Sequence, residues 1–446
     1  MKTLDMTEGK PFVLMAKFSV PMLFANVLQL VYTLADAAII GRMLGVSAFA
    51  SVGATGNLYW LVFSMVLGVT HGFGAVFGQR FGAKDSGELG RSFSTAALLT
   101  VILGVATAFA GVILCAPSLT LLNTPPELMG GAVLYLSLML GGMPITFAYN
   151  LLGSMLRSLG DSRTPLEAVI LGTILNITLD FALVIPFGIG GVAVATLLAQ
   201  VITCAYCVDR LRGFEEARPK RQNLSAESAK PLLLLGLPSG LRNVVIGVGG
   251  LIVQNYVNGY GANFVAGIAA AIRMHHLLFI AGGALEASCA AFVAQNFGAG
   301  KFERVKSGVA TALKLMLLSS VVIAAFTFVF RHELLSLFIA GEPEQVAAVL
   351  DIGQRQLAIL ALGLPVLYLL VLYRAALQGI GKSFIPMLSG FLECVARIFS
   401  VTLATRVLGV WGVYLADPAA WVPTAALLIT AYLIEYRKIL RQFEKT

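Results

Sequence analysis

The sequence predicts an all-α integral membrane protein, with twelve transmembrane helices in two parallel-repeat six-helix bundles, and three observations predict it. Hydrophobic residues make up 58% of the 446-residue chain and charged ones only 12%, against roughly 25% charged in a soluble domain. Apolar windows of about 20 residues, enough to cross a bilayer as a helix, recur along the whole chain. The second half also repeats the first at a shift of 216 to 221 residues. The runs are too long and too apolar on every face for the alternating strands of an outer-membrane barrel.

Span 1 (12–41) follows a segment holding Asp5 and Glu8, lacks a small-residue cleavage site and is read as a retained span. It carries Pro21, a kink that is either static or a hinge, and Asp36. Span 2 (45–78) ends in "GFGAVFG", a small-residue packing face. Spans 3 (92–115) and 4 (129–156) precede span 5 (164–186), which contains "ILNITLD", and span 6 (190–210), which contains Thr196. Spans 7 to 12 are placed at 231–257, 262–295, 308–330, 347–376, 384–405 and 410–434. The charged stretch 211–230 is expected to be a linker between lobes at 1–210 and 231–446.

The repeat supports this division. At a shift of 216, Gln79, Phe81, Gly82 and Ala83 recur as Gln295, Phe297, Gly298 and Ala299. At 221, Pro144, Gly160, Ser162 and Gly191 recur as Pro365, Gly381, Ser383 and Gly412; at 217, Pro21 and Asn26 recur as Pro238 and Asn243. Six spans is an even number, so both halves start on the same side and the repeats are parallel.

The net charge of +8 is explained by where the charges fall. One set of alternate loops and ends carries Lys2, Arg80, Lys84, Arg91, Arg157, Arg163, Arg210, Arg218, Lys220, Arg221, Lys301, Arg304, Lys382, Arg437 and Lys445; the other holds Arg42, Arg331 and Arg406. This positive-inside asymmetry places both termini in the cytoplasm. The basic excess is a topology signal, and no nucleic-acid partner is expected. All five cysteines fall within spans, so no disulfide framework follows. Cys204 and Cys207 read as small apolar packing residues, and His275 and His276 lack further ligands for a metal. "QGIGKS" (378–383) lacks the first glycine of a phosphate loop and has no preceding strand. No enzymatic constellation appears, and neither an enzyme activity nor a cofactor is expected.

Ionisable residues inside spans cost about 2.5–3.5 kcal/mol each at a helix centre, so they face a cavity or a partner. Asp36 and Asp180 have no basic residue well inside spans 1 to 6 to neutralise them. Asn176 precedes Asp180 by four residues, which stacks amide and acid on one helix face. These two acids, with Asn176 and the Thr196 hydroxyl, are expected to hold a proton or a sodium ion. In the second lobe Glu393 and Arg397 read as an i,i+4 ion pair. Arg397 stands where the repeat has Asn176, Val401 where it has Asp180, and Asp417 where it has Thr196. Asp417 is either a cation contact or a cavity-lining structural group; Glu286 and Arg273 each need a partner outside their own helix. Tyr32 and Tyr149, with Glu286 and Asp417, are candidates to line a substrate cavity.

Taken together, "VPMLFANVLQLVYTLADAAIIGRMLG", "GQRFGAKD", "AQNFGAGK" and "LPSGLRN" over twelve repeated spans resemble the multidrug and toxic compound extrusion (MATE) transporters. The resemblance implies efflux of lipophilic organic cations in exchange for inward proton or sodium, by a monomer in the bacterial inner membrane. It places Asp36, Asn176, Asp180 and Thr196 at the first-lobe cation site of DinF-like members, and Pro21 at their helix-1 proline. NorM-like members add acids on helices 7 and 10, where this chain has Gln254, Asn255 and Arg374. The alternative is an exporter or flippase of a lipid-linked or anionic metabolite, which Arg273, Arg374 and Arg397 would suit.

Overall fold

Why the apolar runs become helices follows from the solvent they meet: in hydrocarbon every backbone N–H and C=O must be satisfied within its own segment. The computed structural model describes residues 4–214, 226–339 and 342–443. The first half holds α1 (Pro11–Met43), α2 (Gly45–Gly82), α3 (Ser86–Leu121), α4 (Pro126–Gly141), α5 (Met143–Ser158) and α6 (Arg163–Arg212). The second holds α7 (Ala226–Asn258), α8 (Ala262–Leu278), α9 (Ile280–Gly298), α10 (Phe302–Ser336), α11 (Pro343–Gly379) and α12 (Phe384–Phe399). It ends with a π-helical turn (Ser400–Ala404), α13 (Thr405–Leu408), α14 (Trp411–Tyr414) and α15 (Ala416–Phe443). Of the expected linker, residues 215–225 lie outside the described residues, as do Lys2, Arg218, Lys220, Arg221 and Lys445.

Among the described residues nine helices are long and apolar enough to cross a membrane, and two bent pairs bring the number to eleven. The twelfth comes from α6, whose 50 residues cover spans 5 and 6 across a break at Gly188. Span 4 is bent: α4 and α5 meet at 49°. Pro144 sits in the first turn of α5 and has no N–H to continue the α4 ladder. Span 8 bends by 42° between α8 and α9.

The turns that close each half are built alike. Gly188 has φ 56° and ψ −136°, and Gly409, its counterpart at a shift of 221, has φ 60° and ψ −138°. Only glycine adopts this conformation without strain. Lipid-facing side chains such as Phe109, Leu318 and Val329 remain exposed on the flanks of α3 and α10, as expected where the solvent is itself apolar.

The two cores do not divide where the linker divides the sequence. Met6, Leu14, Met15 and Phe18 from the start of the chain join the core of α9–α11 and α15. Reciprocally, Leu232 and Leu235 of α7 join the core of α2–α6. Each half thus lends the beginning of its first helix to the other.

The lobes meet through two pairs of repeat-related amides. Asn243 donates to the Ser64 carbonyl at 2.8 Å, and Asn26 to the Ile280 carbonyl at 3.5 Å. Gln79 donates to the Gly379 carbonyl at 2.8 Å, and Gln295 to the Ser158 carbonyl at 2.8 Å. Between the glutamines the backbones of α2 and α9 touch. A side chain at Gly82 would collide with the Gln295 carbonyl, and one at Gly298 with the Gln79 carbonyl.

The N-terminal residues seal this end: the Met6 N–H donates to Gln295 Oε1 at 2.9 Å, Asn296 donates to the Met6 carbonyl at 2.9 Å, and Lys301 to the Thr7 carbonyl at 3.0 Å. The C-terminal helix arrives at the same end, where Lys382 pairs with Glu435 at 3.0 Å.

Gly82→Val and Gly298→Val should each cost about 1–3 kcal/mol by overpacking, read as a lowered thermal midpoint of the detergent-purified protein. Gly53→Val, which meets open space, escapes that penalty; equal midpoints for all three would contradict the close approach.

Candidate cation site

α1 and α6 pack side by side in the first lobe, and each contributes an i,i+4 pair to the seam: Tyr32 and Asp36 from α1, Asn176 and Asp180 from α6. This spacing puts both members of a pair on one helix face. The break at Gly188 folds the second part of α6 back, which brings Thr196 to the same place. Asn176 donates to Thr196 Oγ1 at 3.3 Å, and the Tyr32 hydroxyl lies 3.3 Å from the same atom. Asp36 and Asp180 are near enough in this seam for their charges to act on each other. The four residues singled out in the sequence, drawn from spans 1, 5 and 6, are therefore neighbours.

The oxygens in this seam outnumber the donors. Asp36 Oδ1, Asn176 Oδ1 and both carboxylate oxygens of Asp180 are buried without a hydrogen-bond partner among the described residues. Asn176 and Asp180 are wholly buried, and no ion pair reaches either acid among the described residues. A buried acceptor left unmade costs about 1–3 kcal/mol, more when charged. A proton between the carboxyls, or a hard cation among the oxygens, relieves both the missing bonds and the mutual repulsion. No group of three or more His, Cys, Asp or Glu suited to a metal occurs among the described residues. The oxygens present suit a proton or an alkali cation better than a transition metal.

Tyr32 and Thr196 also line a cavity beside the acids, with about 400 Å³ of atom-free space, shared with Gln29, Tyr149 and Gln200. Two of the four candidates for a substrate cavity, Tyr32 and Tyr149, line this one. Glu286 and Asp417 lie elsewhere. Pro21 sits inside an α1 that continues as one helix through it.

The corresponding seam of the second lobe is filled from within. Arg397 pairs with Glu393 at 2.9 Å, as the i,i+4 spacing indicated, and with Asp417 at 2.7 Å; Arg374 pairs with Glu393 at 3.1 Å. The Arg397–Asp417 contact is the repeat counterpart of Asn176–Thr196, with a guanidinium in place of the amide. Val401, the counterpart of Asp180, is wholly buried in the π-helical turn. Val253 of α7 occupies the position of Asp36 at the shift that pairs Pro21 with Pro238.

Two groups escaped the sequence reading. Arg157, counted there among the basic residues of a loop, lies on α5 and lines a cavity between the lobes together with His71 and Glu286. Its position directly after the expected end of span 4 made it look like a topology charge. Gln200, four residues after Thr196, accepts from Thr146 at 3.0 Å; the spacing was the available signal.

Comparison with known proteins agrees with this architecture. The MatE family model matches residues 21–182 and 238–401, once in each half. The probable multidrug resistance protein YoeA of Bacillus subtilis is 28% identical over 442 residues, covering 95% of this chain and 94% of that protein. The probable multidrug resistance protein NorM of Thermotoga maritima is 26% identical over 422 residues, covering 90% and 88%. Among solved structures, a MOP superfamily transporter from Pyrococcus furiosus superposes with a TM-score of 0.90 at 22% identity, over 98% of this chain and 99% of that one. With both of its halves matched and its twelve spans arranged as in solved transporters, this chain belongs to the MatE family.

Proposed function

We propose that this protein is a secondary antiporter that exports lipophilic organic cations, multidrug substrates among them, in exchange for inward H⁺ or Na⁺ by alternating access. The observation that carries the reading is the cluster of buried, donorless oxygens on Asp36, Asn176 and Asp180, set against a cavity walled by Tyr32 and Tyr149. In this reading Asp36 and Asp180 take the coupling ion. Asn176 and Thr196 complete its hydrogen-bond network, and the tyrosines offer aromatic faces to a cationic substrate. Ion and substrate favour different states of the first lobe, and that difference in affinity drives the exchange.

The second-lobe arginines lend little to the alternative of an anionic or lipid-linked cargo, since Arg374 and Arg397 are held by Glu393 and Asp417. Arg273 lines a separate cavity with Phe338 and Gln345. Asp417, paired with Arg397, serves the structure of the second lobe, and Glu286 lines a second cavity, between the lobes. We place the chain in the bacterial inner membrane as a monomer, with residues 1–210 and 231–446 as its lobes and both termini cytoplasmic. The loop asymmetry in Lys and Arg supports that orientation.

Asp36→Asn and Asp180→Asn should each lower dye efflux from cells at matched expression by about tenfold or more, the scale of a coupling interaction worth 1.4 kcal/mol and above. Full transport by both variants would remove the site from the mechanism. In proteoliposomes, either a pH gradient alone or a sodium gradient alone should drive efflux, and the gradient that succeeds names the ion. Efflux independent of both gradients would contradict antiport. Pro21→Ala restores a backbone donor to α1 and should slow transport while leaving dye binding to the purified protein in place, if Pro21 is a hinge; unchanged efflux makes it a static kink.

A further inference from the structure

At the end of the molecule closed by the glutamine bonds, residues 4–9 run between the lobes as a strap outside any helix. Met6 is wholly buried and Thr7 is 5% exposed. The second lobe holds the strap at several points. Gln295 Oε1 accepts from the Met6 N–H at 2.9 Å, while Asn296 and Arg304 Nη2 donate to the Met6 carbonyl at 2.9 and 3.1 Å. Lys301 and Arg304 Nη1 reach the carbonyls of Thr7 and Gly9, each at 3.0 Å. Arg304 Nε donates to Asn296 Oδ1 at 2.9 Å, and its guanidinium lies over the Phe292 ring, 5.6 Å from the centroid. The strap leads into α1, whose first turns carry Leu14, Met15 and Phe18 into the second-lobe core.

Toward the first lobe the strap is held lightly. Among the described residues a single hydrogen bond crosses, from the Leu4 N–H to the Gly160 carbonyl at 3.4 Å. Gly160 has φ 82°, and a side chain there would collide with the Leu4 carbonyl. Closure itself is made through the strap. With Gln295 Oε1 fixed by the Met6 N–H, Nε2 of the same carboxamide is left to meet the Ser158 carbonyl of the first lobe at 2.8 Å. The repeat-related Gln79 bonds the Gly379 carbonyl at 2.8 Å with no donor on its own Oε1 among the described residues. The clamp is not repeated either: at a shift of 216, Asn296, Lys301 and Arg304 correspond to Arg80, Asp85 and Glu88.

We propose that residues 4–9 are a latch on the cytoplasmic end of the interlobe space, with Arg304 as the residue that positions it. Clamped by Arg304, the strap orients the Gln295 carboxamide toward Ser158 and keeps that end shut. When the strap shifts, Gln295 loses the bond that orients it, and the first lobe is freed. The strap and the start of α1 travel with the second lobe, and the parting surface runs between Leu4 and Gly160. A guanidinium suits the clamp because its planar fork meets several acceptors at once in a fixed geometry, which a point-like ammonium does not. The latch is a gating device of the kind that sets when a site is open to one side. It goes beyond the exporter reading and rests on the alternating access and orientation in it.

The test reads which face of the membrane reaches Ala290, a residue lining the interlobe cavity. Ala290→Cys is labelled with a membrane-impermeant maleimide, in a background with the five native cysteines replaced by alanine. In inside-out vesicles Arg304→Gln should speed labelling about tenfold, the scale of losing one hydrogen bond from a charged donor. Gly160→Ala, which displaces the strap from the first lobe, should do the same. Arg304→Lys, which keeps the charge and loses the fork, should speed it nearly as much. In right-side-out vesicles none of these variants should label faster. Unchanged labelling of Arg304→Gln from the cytoplasmic face, full protection by Arg304→Lys, or faster labelling from both faces, which marks a loosened fold, would overturn the latch. The response of the parent protein to ethidium or to a change of pH separates the two readings. If either moves access from one face to the other while Arg304→Gln leaves it in place, alternating access stands and the latch falls. If Arg304→Gln opens the cytoplasmic face while neither ethidium nor pH moves access in the parent, the latch stands and the antiport reading falls.

Discussion

The architecture depends on carboxamide groups reaching across the pseudo-twofold axis to backbone carbonyls. In a membrane, lipid tails compete with apolar side chains on equal terms, so two lobes cannot be held together by hydrophobic burial alone. What remains is close backbone approach and hydrogen bonds that have no water to compete with them. Asn26 and Asn243, then Gln79 and Gln295, supply the second. Gly82 and Gly298 permit the first by giving up their side chains at the point where each would strike the other helix's carbonyl. The N-terminal residues and Lys301 then cover the same end. Such contacts are few, directional and paired by symmetry, which suits an interface that has to open and close as a unit.

Against this symmetric frame the two lobes have opposite interiors. In the first, Asp36, Asn176 and Asp180 present acceptors without donors. In the second, the matching seam contains a guanidinium bound to the chain, and its acids are already satisfied. A tethered cation cannot exchange, whereas a proton or a sodium ion can. On the proposed reading, the duplication leaves one seam to load and unload an ion, while the matching seam of the second lobe is occupied by its own ion pairs.

Much of the fold was legible because a bilayer constrains sequence severely: apolar run length sets span length, and a polar break must be a loop. Even the cross-lobe bonds were half visible, since Gln79, Gln295, Asn26 and Asn243 stand out when the halves are aligned. Their carbonyl acceptors were not, because a backbone carbonyl leaves no mark in a sequence. The bends within spans 4 and 8 were missed for a related reason. Hydropathy averages over about 19 residues and does not register a change of direction inside a run that stays apolar.

By itself the sequence determined the helical class, the twelve spans, the parallel repeat and the presence of unneutralised acids in the first lobe. Each of these follows from one-dimensional quantities: run length, period and charge. Only the tertiary structure decided which of those groups meet. The positive φ of Gly188 folds α6 so that Thr196 returns to Asn176, and helix packing sets Asp36 against Asp180. The same packing turned Arg157 from an apparent loop charge into the wall of an interlobe cavity that Glu286, from the other half of the chain, also lines. Pairing between distant spans depends on helix rotation and crossing, which hydrophobic periodicity leaves open when a helix is apolar on every side.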